Sequence, residues 1–278
     1  MNKVMASAPV GYSSIVNALG LSITSGDIAP GDVMTLNYVQ EEFGVSRTIA
    51  RDVMRVLESL GLLYSRRRVG LIVQDFSEWK VLDPRVIRWR LEGQNRSAQL
   101  RSLTELRVAV EPFAAGAAAE SATEEDIEEL LRIAGELRRT GENGDVQAFL
   151  QYDIEFHSRV LRSTGNELFS ALTEAVTEVL AGRTHAGLMP THPSPASLDA
   201  HERVAWAIRD GDPHEAERAM QGTLTAVREE LRLKVHRSYQ ERHAGGVEVD
   251  RDRDFEPGVH ATPSEPAASA ARDHDSQT

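Results

Sequence analysis

The chain has 278 residues, no cysteine and a net charge of −12. Without cysteine there are no disulfides, thiolate metal sites or cysteine nucleophiles. No apolar run reaches the roughly 18 residues of a membrane span, and the start Met1-Asn2-Lys3-Val4-Met5 lacks the long apolar stretch of a secretory signal, so a cytoplasmic protein with no membrane partner is expected.

The acidic total argues against nucleic acid, but its distribution matters more. Residues 1–95 hold 11 basic and 10 acidic side chains, against 20 and 33 in the remainder. Six arginines (Arg47, Arg51, Arg55, Arg66, Arg67 and Arg68) fall within residues 47–68, opposed there only by Asp52 and Glu58.

Ile15, Leu19 and Ile23, at steps of four, predict a first helix over 13–24. Ser25-Gly26-Asp27 and Pro30-Gly31-Asp32 punctuate the segment after it. A second helix fits Leu36–Phe43 and stops at Gly44; Ser46 caps a third from Arg47 to Leu60. In that helix Ile49, Val53, Val56, Leu57 and Leu60 form the predicted inward stripe, leaving Arg47 and Arg51 on the opposite face. Residues 62–65 and 71–73 read as two short strands joined by a turn over 66–70. Helix, helix, turn, helix, hairpin is the plan of a winged helix-turn-helix.

Within residues 76–95, Trp79, Leu82, Val86 and Trp89 recur at three- and four-residue steps. They predict a docked amphipathic helix, its aromatics holding the connector onto the C-terminal region, with Pro84 at a possible helix start behind Asp83. Residues 97–240 are helical almost throughout, in segments near 97–120, 123–141, 145–164, 166–184, 197–211 and 213–240, with a proline-rich loop over 186–197. Residues 241–278 are poor in large apolar side chains and read as a disordered tail. The expected fold is therefore mainly α: a winged domain over 1–75, a connector helix over 76–96, an all-α bundle over 97–240 and the tail.

Arginine at the start of a recognition helix can pair with guanine O6 and N7, so Arg47 and Arg51 are candidate base readers. Ser46 and Thr48 suit phosphate, as do Arg66, Arg67 and Arg68 along backbone or minor groove. The same residues also describe a solvated helix face followed by a charged hairpin. In the bundle, Asp153 and His157 stand four residues apart, a spacing that suits two ligands of one metal, with His201 as a third; a surface or capping pair fits the same spacing. Arg107 inside a bundle needs an anion, either Glu111 four residues on or a carboxylate ligand; Arg183 is a second candidate. His185 and His192, beside or in the proline-rich loop, read as surface residues.

The N-terminal segment resembles the DNA-binding domain of the GntR family. The resemblance rests on Pro30-Gly31, on Gly44-Val45-Ser46-Arg47-Thr48 with Arg51, and on Leu60-Gly61-Leu62 with Gly70 and Val73. The usual first glycine of the wing tip is Arg68 here. Glu105-Leu106-Arg107, Glu111-Pro112, Asp153 with Phe156-His157, Gly165-Asn166, and His201 ahead of Ala207-Ile208-Arg209-Asp210-Gly211-Asp212 resemble the ligand-binding domain of the FadR-type (FCD) subfamily. That resemblance implies a divalent ion, Zn or Ni, held by one Asp and three His; the last His falls on Thr223 here, which weakens the site. It also implies that Arg107 binds effector. The connector is similar to that of the sugar-acid (galactonate and gluconate) repressors of the subfamily.

The expected function is that of a homodimeric regulator, a repressor, that binds a palindromic operator and responds to a small carboxylate such as a sugar acid, and is not an enzyme. Two rivals stand beside it: the same fold answering to another organic acid or acyl ligand, and a metal-dependent hydrolase using Asp153, His157 and His201.

Overall fold

A computed structural model describes residues 11–225. The proposed tail over 241–278 and the end of the last helix lie outside these residues.

The N-terminal part opens with α1 (Tyr12–Ser25), closed by Gly26 at φ 85°. A two-residue strand, β1 (Val33–Met34), comes next. The next helix, α2 (Leu36–Phe43), is capped by the Thr35 hydroxyl, which accepts from Tyr38 N, and ends at Gly44 in the left-handed region. After that turn α3 (Arg47–Ser59) begins at Ser46, whose hydroxyl accepts from Ile49 N at 3.4 Å. Strands β2 (Leu63–Arg66) and β3 (Gly70–Val73) form the hairpin. The sheet has three strands rather than the two expected, in the order β1-β3-β2, with Val33 opposite Ile72 and Leu63 opposite Val73. Two residues are too few to show an alternation, which is why β1 left no pattern in the sequence.

The inward face of α3 also differs from the expectation. Ala50, Val53, Met54 and Leu57 are buried, whereas Ile49 is 37% exposed and Val56 only half-buried. Steps of three and four from Ala50 trace one stripe, and Ile49 lies off it. Ile15, Leu19 and Ile23 of α1 and Val39 of α2 complete this core.

The connector is not one helix from 76. A single 3-10 turn covers Phe76–Glu78, and α4 runs only over Pro84–Glu92, with Asp83 accepting from Arg85 N as cap. Proline fits the first turn of a helix, where its missing N–H costs nothing, whereas further inside it removes a backbone hydrogen bond and clashes with the preceding turn. Leu82 is consequently left outside α4, 52% exposed, while the Trp79 indole donates to Gln74 O at 3.1 Å. The docking aromatic also faces another way than expected. Val86 and Trp89 pack into the N-terminal core, and Ile87 and Leu91, also on α4, pack with Leu100, Leu103, Ala175 and Val179 of the bundle.

The remaining described residues are mostly helical. They comprise α5 (Arg96–Ser121), α6 (Glu124–Asn143), α7 (Val146–Arg162), the short α8 (Glu167–Ala171), α9 (Thr173–His185), α10 (Pro195–Asp210) and α11 (213–225). The segment expected as one helix over 166–184 is broken at Leu172. The capping box of Thr123 and Asp126 starts α6. Leu130, Ile133 and Leu137 of α6, Phe156, Val160 and Leu161 of α7, and Val204 and Ile208 of α10 fill the core. The small residues Ala114, Ala115 and Ala118 let α5 sit close among them.

Candidate functional site

The first turns of α3 present Arg47, Thr48 and Arg51 to solvent, together with the Ser46 cap. None of the three side chains Arg47, Arg51 or Thr48 forms an ion pair among the described residues. A helix N-terminus adds partial positive charge and unsatisfied N–H groups, which favour phosphate. The hairpin is tied to α3 by Ser65 N, which donates to Glu58 Oε1 at 3.1 Å. Arg66, Arg67 and Arg68 at its tip are all exposed. Gly70 contributes backbone shape: it sits at φ 129°, and a Cβ there would come within 3.3 Å of Met34 O and Val33 Cγ1.

The bundle encloses a cavity of about 340 Å³. Arg107 of α5, Asp153 and His157 of α7, Arg183 of α9, His201 of α10 and Thr223 of α11 all line it. The structure therefore brings together every bundle residue singled out by the sequence as a metal or effector ligand. Phe149 and the loop before α10, through Met189, Pro190 and Pro193, complete the wall. His192, an exposed residue, sits at this rim as well; His185 does not line the cavity.

Arg107 is buried and already engaged. Its Nε and Nη2 donate to Glu111 Oε1 and Oε2 at 2.6 and 3.2 Å, the helix ion pair that four-residue spacing allows. Glu111 has a second partner that the sequence did not reveal: its Oε2 lies 2.7 Å from His157 Nδ1. Burial works against the Glu111 charge, but Arg107 and then His157 outweigh it and hold the carboxyl at about 2. Burial likewise opposes an imidazolium at His157, as does Arg107, and the Glu111 and Asp153 carboxylates together more than offset them, raising the pKa.

The donor set fits a divalent cation. The His201 Nδ1 lies 2.8 Å from Ser197 O; a carbonyl can only accept, so Nδ1 carries a proton and Nε2 is the nitrogen left to meet a cation. At His157 the Nδ1 edge of the ring lies against the Glu111 carboxylate, 2.7 Å away. Both Nε2 atoms then face Asp153 Oδ1, each at 3.4 Å. The His201 Nε2 is buried without a hydrogen-bond partner among the described residues. The three ligand atoms lie within 4.8 Å of one another. Two imidazoles oriented by outer carboxylate and carbonyl partners, plus one carboxylate, form the arrangement in which second-shell groups aim metal ligands. Thr223 stands on the same wall, but its hydroxyl donates to Met220 O at 2.8 Å, and an alcohol is a weaker ligand than imidazole for Zn or Ni.

No helix among the described residues is long and apolar enough to cross a membrane.

Comparison with known proteins agrees with this division of labour. Residues 11–73 match the bacterial regulatory proteins of the gntR family, and residues 102–226 match the FCD domain. The chain is 32% identical over 207 residues to the galactonate operon transcriptional repressor of Escherichia coli (strain K12), covering 74% of this chain and 90% of that protein. It is 27% identical over 218 residues to the HTH-type transcriptional regulator LutR of Bacillus subtilis (strain 168), covering 75% and 95%. With the uncharacterized HTH-type transcriptional regulator YieP of Escherichia coli (strain K12) it shares 25% over 211 residues, covering 76% and 90%. Both halves of the described chain are thus accounted for by one kind of protein, and the chain belongs to the GntR family of bacterial transcription regulators, in the FadR-type branch that carries an FCD domain, and not to an enzyme family.

Proposed function

We propose that the protein is a homodimeric repressor whose hold on a palindromic operator is released by a small carboxylate, a sugar acid, bound in the bundle cavity. The observation that carries this reading is the cavity itself. It is at the lower end of the roughly 300–1,000 Å³ range of small-molecule sites, and it holds two buried arginines beside a buried Asp-His-His set. The galactonate connection of the most similar of the three relatives supports the class of acid.

In this reading residues 1–75 bind DNA, 76–96 connect, and 97–240 bind effector and dimerise. Ser46, Arg47, Thr48 and Arg51 meet the major groove and its phosphates, and Arg66, Arg67, Arg68 and Gly70 form the wing. Asp153, His157 and His201 hold Zn or Ni, which supplies positive charge for a carboxylate and neighbouring hydroxyl. Arg107, whose Nη1 is not used by Glu111, and Arg183 complete the anion site, and Ser194, Ser197 and Thr223 offer hydroxyls to a polyhydroxylated ligand. The glutamate that aims His157 also holds Arg107 in place, so one carboxylate orients both a metal ligand and an anion donor.

A ligand can shift the operator-binding form only by binding the other form better. The test is a thermal-shift panel of aldonates and uronates with Zn, with Ni and with chelator, since a ligand of the folded state raises Tm by mass action. At least one sugar acid is expected to raise Tm and, at the same concentration, to release DNA selected by the protein. No shift with any member of the panel overturns the sugar-acid assignment while leaving the DNA reading standing.

A further inference from the structure

The tip of the wing is where the backbone departs from what its residues prefer. Val69 N donates to Arg66 O at 3.1 Å, closing a four-residue turn between β2 and β3. Arg68, third in that turn, has φ 65° and is the one non-glycine residue with positive φ among the described residues. A turn with positive φ at its third position takes glycine or asparagine, because an L side chain there crowds its own backbone. Inside the fold nothing compensates the arginine. Arg66, Arg67 and Arg68 are exposed and make no side-chain hydrogen bond, ion pair or ring contact among the described residues. Residues held in such conformations cluster where binding, not folding, requires them.

A phosphate contact would not require the strain, since Arg66 and Arg67 supply charge from unstrained neighbouring positions. The minor groove asks for more: it is about 6 Å wide, so only a thin projection enters it, and the turn of a two-stranded hairpin with exposed side chains at its tip is such a projection. Narrow A·T-rich grooves deepen the negative potential and favour arginine in particular, whose guanidinium is less strongly hydrated than an ammonium. Val69, 43% exposed beside it, offers an apolar surface to the sugars.

We propose that Arg68 enters the minor groove beside each half-site and makes the protein select narrow, A·T-rich flanks that no base-reading side chain touches. This rests on the DNA-binding reading above and deepens it.

The experiment is selection from a random duplex library with the full-length protein and with Arg68→Gly, followed by anisotropy on the selected duplex. Both proteins are expected to enrich the same core, and only the wild type an A·T-rich flank. Replacing that flank by G·C should weaken the wild type about tenfold and Arg68→Gly less than twofold. An inosine·C flank, which keeps the major-groove pattern of G·C but lacks its minor-groove amine, should restore wild-type affinity. Arg68→Gly should melt no lower than the wild type, so that lost selectivity is not lost folding. An unchanged flank preference in Arg68→Gly, or an inosine flank that behaves as G·C does, overturns the inference. Failure of the wild type to enrich any core overturns the DNA reading itself, and this inference with it.

Discussion

Glu111 is the residue on which the cavity turns. It neutralises Arg107 and fixes the His157 ring at once, and all three are buried. Glu111→Ala leaves a buried guanidinium without its partner, so a loss of about 3–5 kcal/mol in denaturant unfolding is expected; a loss below about 1 kcal/mol, the range of an exposed pair, would show that the pair is not buried in solution. For the cation, Asp153→Asn should abolish Ni or Zn binding by calorimetry. Thr223→His should tighten it at least tenfold, because an imidazole then faces the site where a hydroxyl bonded to Met220 stands now. Unchanged affinity in Thr223→His would remove that position from the site. At the DNA surface, Arg47→Ala and Arg51→Ala should each cost about 1–3 kcal/mol of sequence discrimination in anisotropy titrations, whereas Arg66→Ala should weaken all duplexes alike and lower the salt slope by about one. Selected duplex bound equally well by the Arg47→Ala, Arg51→Ala double variant would sink the assignment of α3 as the reader.

At the scale of elements, the glycines of α1 and α9 explain how α4 fits. A Cβ at Gly20 would lie 2.5 Å from the buried Trp89 ring, and one at Gly182 would lie 2.6 Å from Leu91 Cδ1. Gly20→Ala is therefore expected to destabilise by about 1–3 kcal/mol through overpacking. Gly135→Ala, in the exposed middle of α6 with nothing within 4 Å of its new Cβ, should stabilise by up to about 1 kcal/mol. Equal shifts for the two variants would contradict the packing of Trp89 against α1. The indole N–H completes this seat by donating to Asn17 Oδ1 at 3.2 Å, and Arg88 reaches the other way, pairing with Glu178 of α9 through Nε at 3.1 Å and Nη2.

For the whole molecule, what could be read in advance depends on how local each feature is. The winged domain was legible because its signals are short-range: Ser46 caps, Gly26 and Gly44 stop, and the arginines cluster in one stretch, whereas the Thr35 cap went unread. Asp153 and His157 were legible as a pair because four residues bring them to one helix face. His201 could be offered as a third ligand from another helix, but its junction with the pair, and with Arg107 and Arg183, depends on how α5, α7, α9 and α10 pack, which spacing does not show. The contact between Glu111 and His157 joins two helices and left no trace in spacing. The roof formed by Met189, Pro190 and Pro193 belongs to a loop without periodicity, and the turn of Val86 and Trp89 towards the N-terminal core was hidden because a stripe tells which residues are buried, not against what. Sedimentation equilibrium is expected to show a dimer at micromolar concentration, and a monomer that still binds the selected palindrome tightly would exclude the two-reader arrangement.

The two-sided seating of α4 also bears on how the protein comes apart. Val86 and Trp89 belong to one core and Ile87 and Leu91 to the other, so neither core can melt without uncovering apolar surface that the other half of a single nine-residue helix shares. The border between the winged domain and the bundle is therefore a poor place to cut the chain. A fragment ending at 75 would leave the groove at Gly20 empty and its lining wet, and heating the intact protein should give one calorimetric transition rather than two.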